Sequence, residues 1–213
     1  MASDRKIRKF MRQWRKRYPY PVAWADDRAN KQCRRSEAEW LATFEGARDL
    51  RRRQVVTLVE WRFADMPVPR EQALQGVAGP AAWGHARRRI KKALASSSPT
   101  VALDLLVADE GGVPGWGPAM ASVVLAACRP DVYAIADQRA LRTLKALKLH
   151  LPRSEEEFAR LDWWPYLTVC RRLTDVCGLS LRSVHQALRA AADEAPKLPE
   201  APERRHRPSR ART

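Results

Sequence analysis

Acidic residues are scarce in this chain: 24 Asp and Glu stand against 40 Lys and Arg, which leaves a formal net charge of +16 over 213 residues. So large a positive field disfavours acid-seeking or neutral partners and favours a polyanion, with nucleic acid foremost and an anionic membrane surface as the other option. Long apolar runs are missing too, and none approaches the roughly 20 residues that cross a bilayer. No membrane-spanning segment is therefore expected, and nucleic acid rather than a membrane is the expected partner. Only four cysteines occur, at 33, 128, 170 and 177, with no signal segment ahead of them, so the expected setting is reducing and cytoplasmic, nucleoid-associated in a bacterium. The four histidines, at 85, 150, 185 and 206, are too dispersed for a zinc site. Alternating strand patterns and internal repeats are absent as well.

What remains is a helical chain with 45% hydrophobic residues, enough for one domain with its own core. Apolar positions recur at three and four, which predicts helices over 4–17, 36–49, 51–63, 70–76, 80–95, 99–108, 118–127, 138–147, 154–159, 163–177 and 180–193. Ser36 and Ser154 each precede a Glu by three residues, the arrangement of a capping box. Pro67, Pro69, Gly76, Gly79-Pro80 and Ser96 to Pro99 read as breaks. In the first helix Ile7, Phe10, Met11 and Trp14 form one apolar stripe backed by Arg5, Lys6, Arg8, Lys9, Arg12, Arg15 and Lys16, so the helix is expected to dock on the core with a basic face outward. A helical domain over 1–194 is followed by 195–213, a Pro, Glu and Arg segment too poor in apolar residues to fold.

The most informative stretch is Val113-Pro-Gly-Trp-Gly117, with Pro118 opening an apolar, small-residue helix and Asp137 twenty residues beyond Gly117. Two glycines around one apolar residue allow a tight turn and a close backbone approach to a ligand, and Pro118 suits a first helical turn. Amides at such a helix start suit a phosphate. Asp137, after the extended step Val132-Tyr-Ala-Ile-Ala136, falls where an N-cap belongs.

In order and spacing this arrangement resembles the helix-hairpin-helix superfamily of base-excision DNA glycosylases, most closely over residues 101–148, with the hairpin motif at 101–127. The resemblance implies an all-α, two-lobed fold, duplex DNA as partner and a monomer. It implies that Gly115, Trp116, Gly117 and Pro118 grip the DNA. Separately, the basic run 87–92 puts Arg87, Arg88 and Lys91 on one helix face, which either tracks the phosphate backbone or is an ordinary solvated face. Asp137 would be the catalytic carboxylate, stabilising positive charge on the sugar and helping to activate water. A plain N-cap role for Asp137 is compatible with the same position. Members that cut the strand through a Schiff base carry a Lys where this chain has Ala119, so the implied reaction is monofunctional hydrolysis that leaves an abasic site. Glu60, Trp61, Trp164 and Tyr166 are the candidates for a pocket that holds an extruded base, although core packing is the simpler account of each Trp and an exposed or salt-bridged position the simpler account of Glu60. No cofactor is expected: Cys170 and Cys177 reproduce only one gap of the iron-sulfur set found in some relatives, whereas the hairpin carbonyls suit a monovalent cation. The alternative reading is a DNA-binding protein that keeps the hairpin without the chemistry.

Overall fold

In the computed structural model, residues 4–18, 37–64, 66–149 and 158–192 are described. They form ten α-helices and two short 3-10 turns, and there is no strand among the described residues. In chain order the helices are α1 (Asp4–Arg15), α2 (Glu37–Ala42), α3 (Arg52–Arg62), α4 (Pro67–Gln75), α5 (Gly79–Ala95), α6 (Pro99–Asp104), α7 (Pro118–Cys128), α8 (Gln138–Ala146), α9 (Trp163–Cys177) and α10 (Leu181–Ala191). The 3-10 turns lie at Ala108–Glu110 and Arg160–Asp162.

Helix α7 is the centre of the molecule. Met120, Ala121, Ser122, Val123, Val124, Leu125, Ala127 and Cys128 are all buried, because a helix that is apolar on every side must be covered on every side. It is flanked by α3, α5 and α6. The other well-packed group joins α1, α8, α9 and α10, with α1 lying across α9 and α10. Ile7, Phe10, Met11 and Trp14 are buried there, as their spacing predicts.

Several boundaries depart from the sequence pattern, each for a local reason. The helix expected over 36–49 stops at Ala42, and the chain turns through Gly46 at φ +75°. The Gly46 amide then donates to Cys128 O at 2.8 Å, satisfying a carbonyl at the end of α7 that helix geometry leaves open. Pro67 and Pro69 do not break a helix; they open α4 three residues earlier than expected, with Pro67 at its first position, where proline needs no partner for a missing N–H. The helix expected over 99–108 ends at Asp104, and the chain reverses so that Val113 N donates to Leu106 O at 3.0 Å. The capping boxes at Ser36 and Ser154, Cys33, most of the expected helix 154–159 and the tail 195–213 lie outside the described residues.

Candidate functional site

The loop 111–117 is held from two sides. From α4, Ala73 O accepts the Trp116 indole N–H at 3.0 Å, and Trp116 is buried. From α5, His85 Nε2 lies 2.8 Å from Gly112 O, and the Arg89 guanidinium donates to Gly111 O. Gly115 sits at φ +75°, where a Cβ would come within 2.2 Å of Gln72 O. Only glycine allows the loop to lie backbone against backbone on α4. Gly76 makes the matching approach from the other side, since a Cβ there would meet Pro114 O at 2.1 Å.

Gly117 differs. It is the N-cap of α7 with extended backbone at φ −91° and ψ −176°, and a Cβ there would meet nothing within 4 Å. Pro114, Gly115 and Gly117 are exposed while Val113 and Trp116 are buried. The amides of Gly115, Gly117 and Ala119 donate to no protein acceptor among the described residues. The four hairpin residues thus divide: Trp116 anchors with its side chain, Gly115 permits the approach, and Gly117 and Pro118 shape the helix start.

Asp137 caps α8. Its Oδ1 accepts the amides of Arg139 at 2.8 Å and Ala140 at 3.3 Å. Its Oδ2 faces Arg62 Nη1 at 3.4 Å, His185 Nε2 at 3.9 Å and Arg189 Nε at 3.9 Å. Only 4% of the residue is exposed. Burial opposes ionisation, but the neutral His185 N–H dipole turned toward Oδ2 and the Arg62 and Arg189 charges outweigh it and hold the carboxyl well below the usual carboxylate range. The approach to Asp137 is fixed from α7 as well, because Ser122 Oγ accepts the Ala136 amide at 2.8 Å. One hydroxyl therefore ties the helix that the loop opens to the residue before the carboxylate.

His185 is buried and neutral. Burial pushes it down to about 4 against the raising pull of Asp137, with Arg182 and Arg189 adding to the fall. Arg182 Nη1 lies 3.0 Å from His185 Nδ1, and a guanidinium can only donate, so Nδ1 is the acceptor and the ring proton sits on Nε2. At 3.9 Å that N–H is too far from Asp137 for a hydrogen bond, and His185 Nε2 has no partner among the described residues. The imidazole also lines a cavity of about 280 Å³ together with Tyr133, Ile135, Ser180, Arg182 and Gln186. The Tyr133 hydroxyl is a second buried polar atom without a partner among the described residues.

The four residues expected to form a base pocket do not share one place. Tyr166 is buried, and its hydroxyl donates to Ile135 O at 3.0 Å, two residues before Asp137. Trp61 is half-buried, packs on Trp40 at 5.7 Å and lies 5.4 Å below the Arg182 guanidinium, which links it to the His185 cluster. Glu60 is exposed, and Trp164 is 45% exposed with Arg171 over its ring. Among the described residues no hydrogen bond, ion pair or ring contact joins either of those two to the cluster, and none of the four lines the 280 Å³ cavity. Arg87, Arg88 and Lys91 are exposed on α5. Arg87 is partly spent in a fork with Asp49, at 3.0 and 2.5 Å, and Lys91 Nζ lies 3.7 Å from the same carboxylate.

Sequence reasoning missed the groups packed around Asp137 and His185. Arg182, His185 and Arg189 fall at i, i+3 and i+7 on one face of α10, a spacing that was visible. Nothing local marks Arg62, which follows Trp61 and lies 75 positions from Asp137. Comparison with known protein families, with curated proteins and with solved structures gives no match.

Proposed function

We propose that the protein binds duplex DNA through the 111–118 loop, as a two-lobed helix-hairpin-helix protein, and hydrolyses an N-glycosidic bond with Asp137. The observation that carries this reading is the pairing of an ionised, fixed carboxylate with the exposed amides of a glycine loop, joined by the Ser122–Ala136 bond. Such a carboxylate is suited to stabilise developing positive charge on a sugar ring. The unpartnered amides at the start of α7 are suited to a phosphate, and the overall +16 charge favours DNA generally. Ala119 offers no amine, so the reaction ends at the abasic site and does not proceed to strand cleavage.

The depth of Asp137 favours a second reading, a DNA-binding protein without chemistry. For the carboxylate to meet a sugar, Arg62 and Arg189 must move aside, and their side chains are 14% and 23% exposed. In the second reading the cluster is purely structural.

Purified protein incubated with duplexes carrying a panel of damaged bases separates the two. The enzymatic reading expects alkali-labile sites on at least one lesion and their loss in Asp137→Asn, with duplex affinity retained. Asn keeps the helix cap while removing the charge. Because the substitution removes the charge that faces the half-buried Arg62 guanidinium, it should also lower stability by about 2 kcal/mol, read as a urea midpoint. Binding without cleavage on every lesion leaves the second reading in place. Absence of duplex binding removes both.

A further inference from the structure

Helix α1 has an unusual division of labour. Its apolar stripe, Ile7, Phe10, Met11 and Trp14, is wholly occupied against α9 and α10. Its other side presents Arg5, Arg8, Lys9, Arg12 and Arg15, all exposed, with Lys6 half-buried and Lys16 exposed just past the helix end. Asp4, in the first turn, is its one acidic residue. No ion pair joins any of these seven cations to an acid among the described residues.

These cations repel one another. Arg5 and Arg8, Lys6 and Lys9, and Lys9 and Arg12 are three apart, and Arg5 and Lys9, and Arg8 and Arg12, are four apart, so each pair is adjacent on the helix surface. Packing of the apolar stripe holds the helix together in spite of that repulsion. An anionic partner lying along the face would relieve it.

The type of partner follows from what α1 has left to offer. A helix that binds a bilayer surface buries its apolar face among the acyl chains, and here that face is already inside the protein. Only charge remains. Twelve residues make a basic ridge about 18 Å long, comparable with roughly five base pairs of duplex, whose phosphates form a continuous line of charge.

We infer that the outward face of α1 is a second DNA contact, carried by helices other than those that hold the 111–118 loop, and that it binds the duplex phosphate backbone without reading bases. The inference rests on the DNA-binding reading above and adds a surface to it.

Fluorescence anisotropy with the full chain, a duplex of arbitrary sequence and a salt series tests it. Replacing Arg5, Lys9, Arg12 and Lys16 together by Gln should weaken binding roughly tenfold or more at about 0.1 M salt. It should also make the slope of log affinity against log salt shallower by about 3 to 4, since each lost phosphate contact removes about 0.9. Arg5→Lys with Arg12→Lys, which keeps the charge, should retain the parental slope. Far-UV circular dichroism checks that α1 is intact, and Lys9→Gln with Arg12→Gln gives the same change at about half the size should the fourfold variant fold poorly. A fourfold variant with unchanged affinity and slope overturns the α1 contact while the loop contact stands. A parent that does not bind duplex overturns both. Tighter binding to phosphatidylserine vesicles than to duplex at matched salt overturns the inference in favour of a membrane surface.

Discussion

Gly115 and Gly117, two positions apart in one loop, answer to different constraints. At Gly115 both the positive φ and the Gln72 carbonyl, which a Cβ would overlap, forbid a side chain. Gly115→Ala should therefore cost at least about 2 kcal/mol, seen as a lower urea midpoint. At Gly117 the backbone is ordinary and the space open, so Gly117→Ala should stay within about 1 kcal/mol of the parent. If its amide meets a phosphate, the same substitution should weaken duplex binding several-fold, because the added methyl stands where the anion approaches. Equal stability loss in the two variants would contradict this assignment. His185 gives the residue scale a pH signature. Its folded value near 4 lies below the ordinary 6.5, so the folded protein binds fewer protons than the unfolded chain between those values. Its contribution is fully present above about pH 6.5 and is lost as pH falls toward 4, by about 3 kcal/mol in all. Asp137, whose value is lowered, adds a further loss beginning near pH 4. Urea midpoints measured from pH 8 to pH 3 should fall in these two stages, and His185→Gln should flatten the first.

Among the elements, α4 is the support on which the loop rests. Its Ala73 O takes the Trp116 indole proton, and its Gln72 carbonyl and the following Gly76 touch the loop backbone. Trp116→Phe keeps an aromatic ring but leaves a buried carbonyl without its donor, at a cost of about 2 kcal/mol. Hydrogen exchange should show the change first in the amides of α4 and the 111–117 loop; faster exchange spread evenly over α8 to α10 would assign Trp116 to the general core instead. The sequence showed α7 and the loop clearly, because Gly-Trp-Gly-Pro combines turn chemistry with an N1 proline. It did not show α4 as the loop's seat, since Pro67 and Pro69 look like breaks until the helix is seen to begin on one of them. The sequence pattern overstates α2 for the opposite reason. Its periodicity continues past Ala42, but Gly46 is drawn away to cap the end of α7, a contact 82 positions distant.

For the whole molecule, the +16 charge has two consequences of opposite sign. Self-repulsion destabilises the compact free protein, so salt raised from about 0.05 to 0.5 M should increase its melting temperature. The same salt should weaken duplex binding steeply, because the counterions released on binding then return to a concentrated solution. Thermal scans and binding isotherms over one salt series test both, and a melting temperature that falls with salt would show that ion pairs, and not repulsion, dominate the surface. The helical class, the docked basic first helix, the glycine loop and the N-cap position of Asp137 were all determined by the sequence alone, because each depends on spacing within a dozen or so residues. Only the tertiary structure decided what surrounds Asp137: Arg62, His185 and Arg189 arrive from α3 and α10 and close over the carboxylate. It also separated Glu60 and Trp164 from Trp61 and Tyr166. Local pattern specifies which face of a helix is buried, but the partners of a buried charge come from helices distant in the chain, and their approach is set by packing.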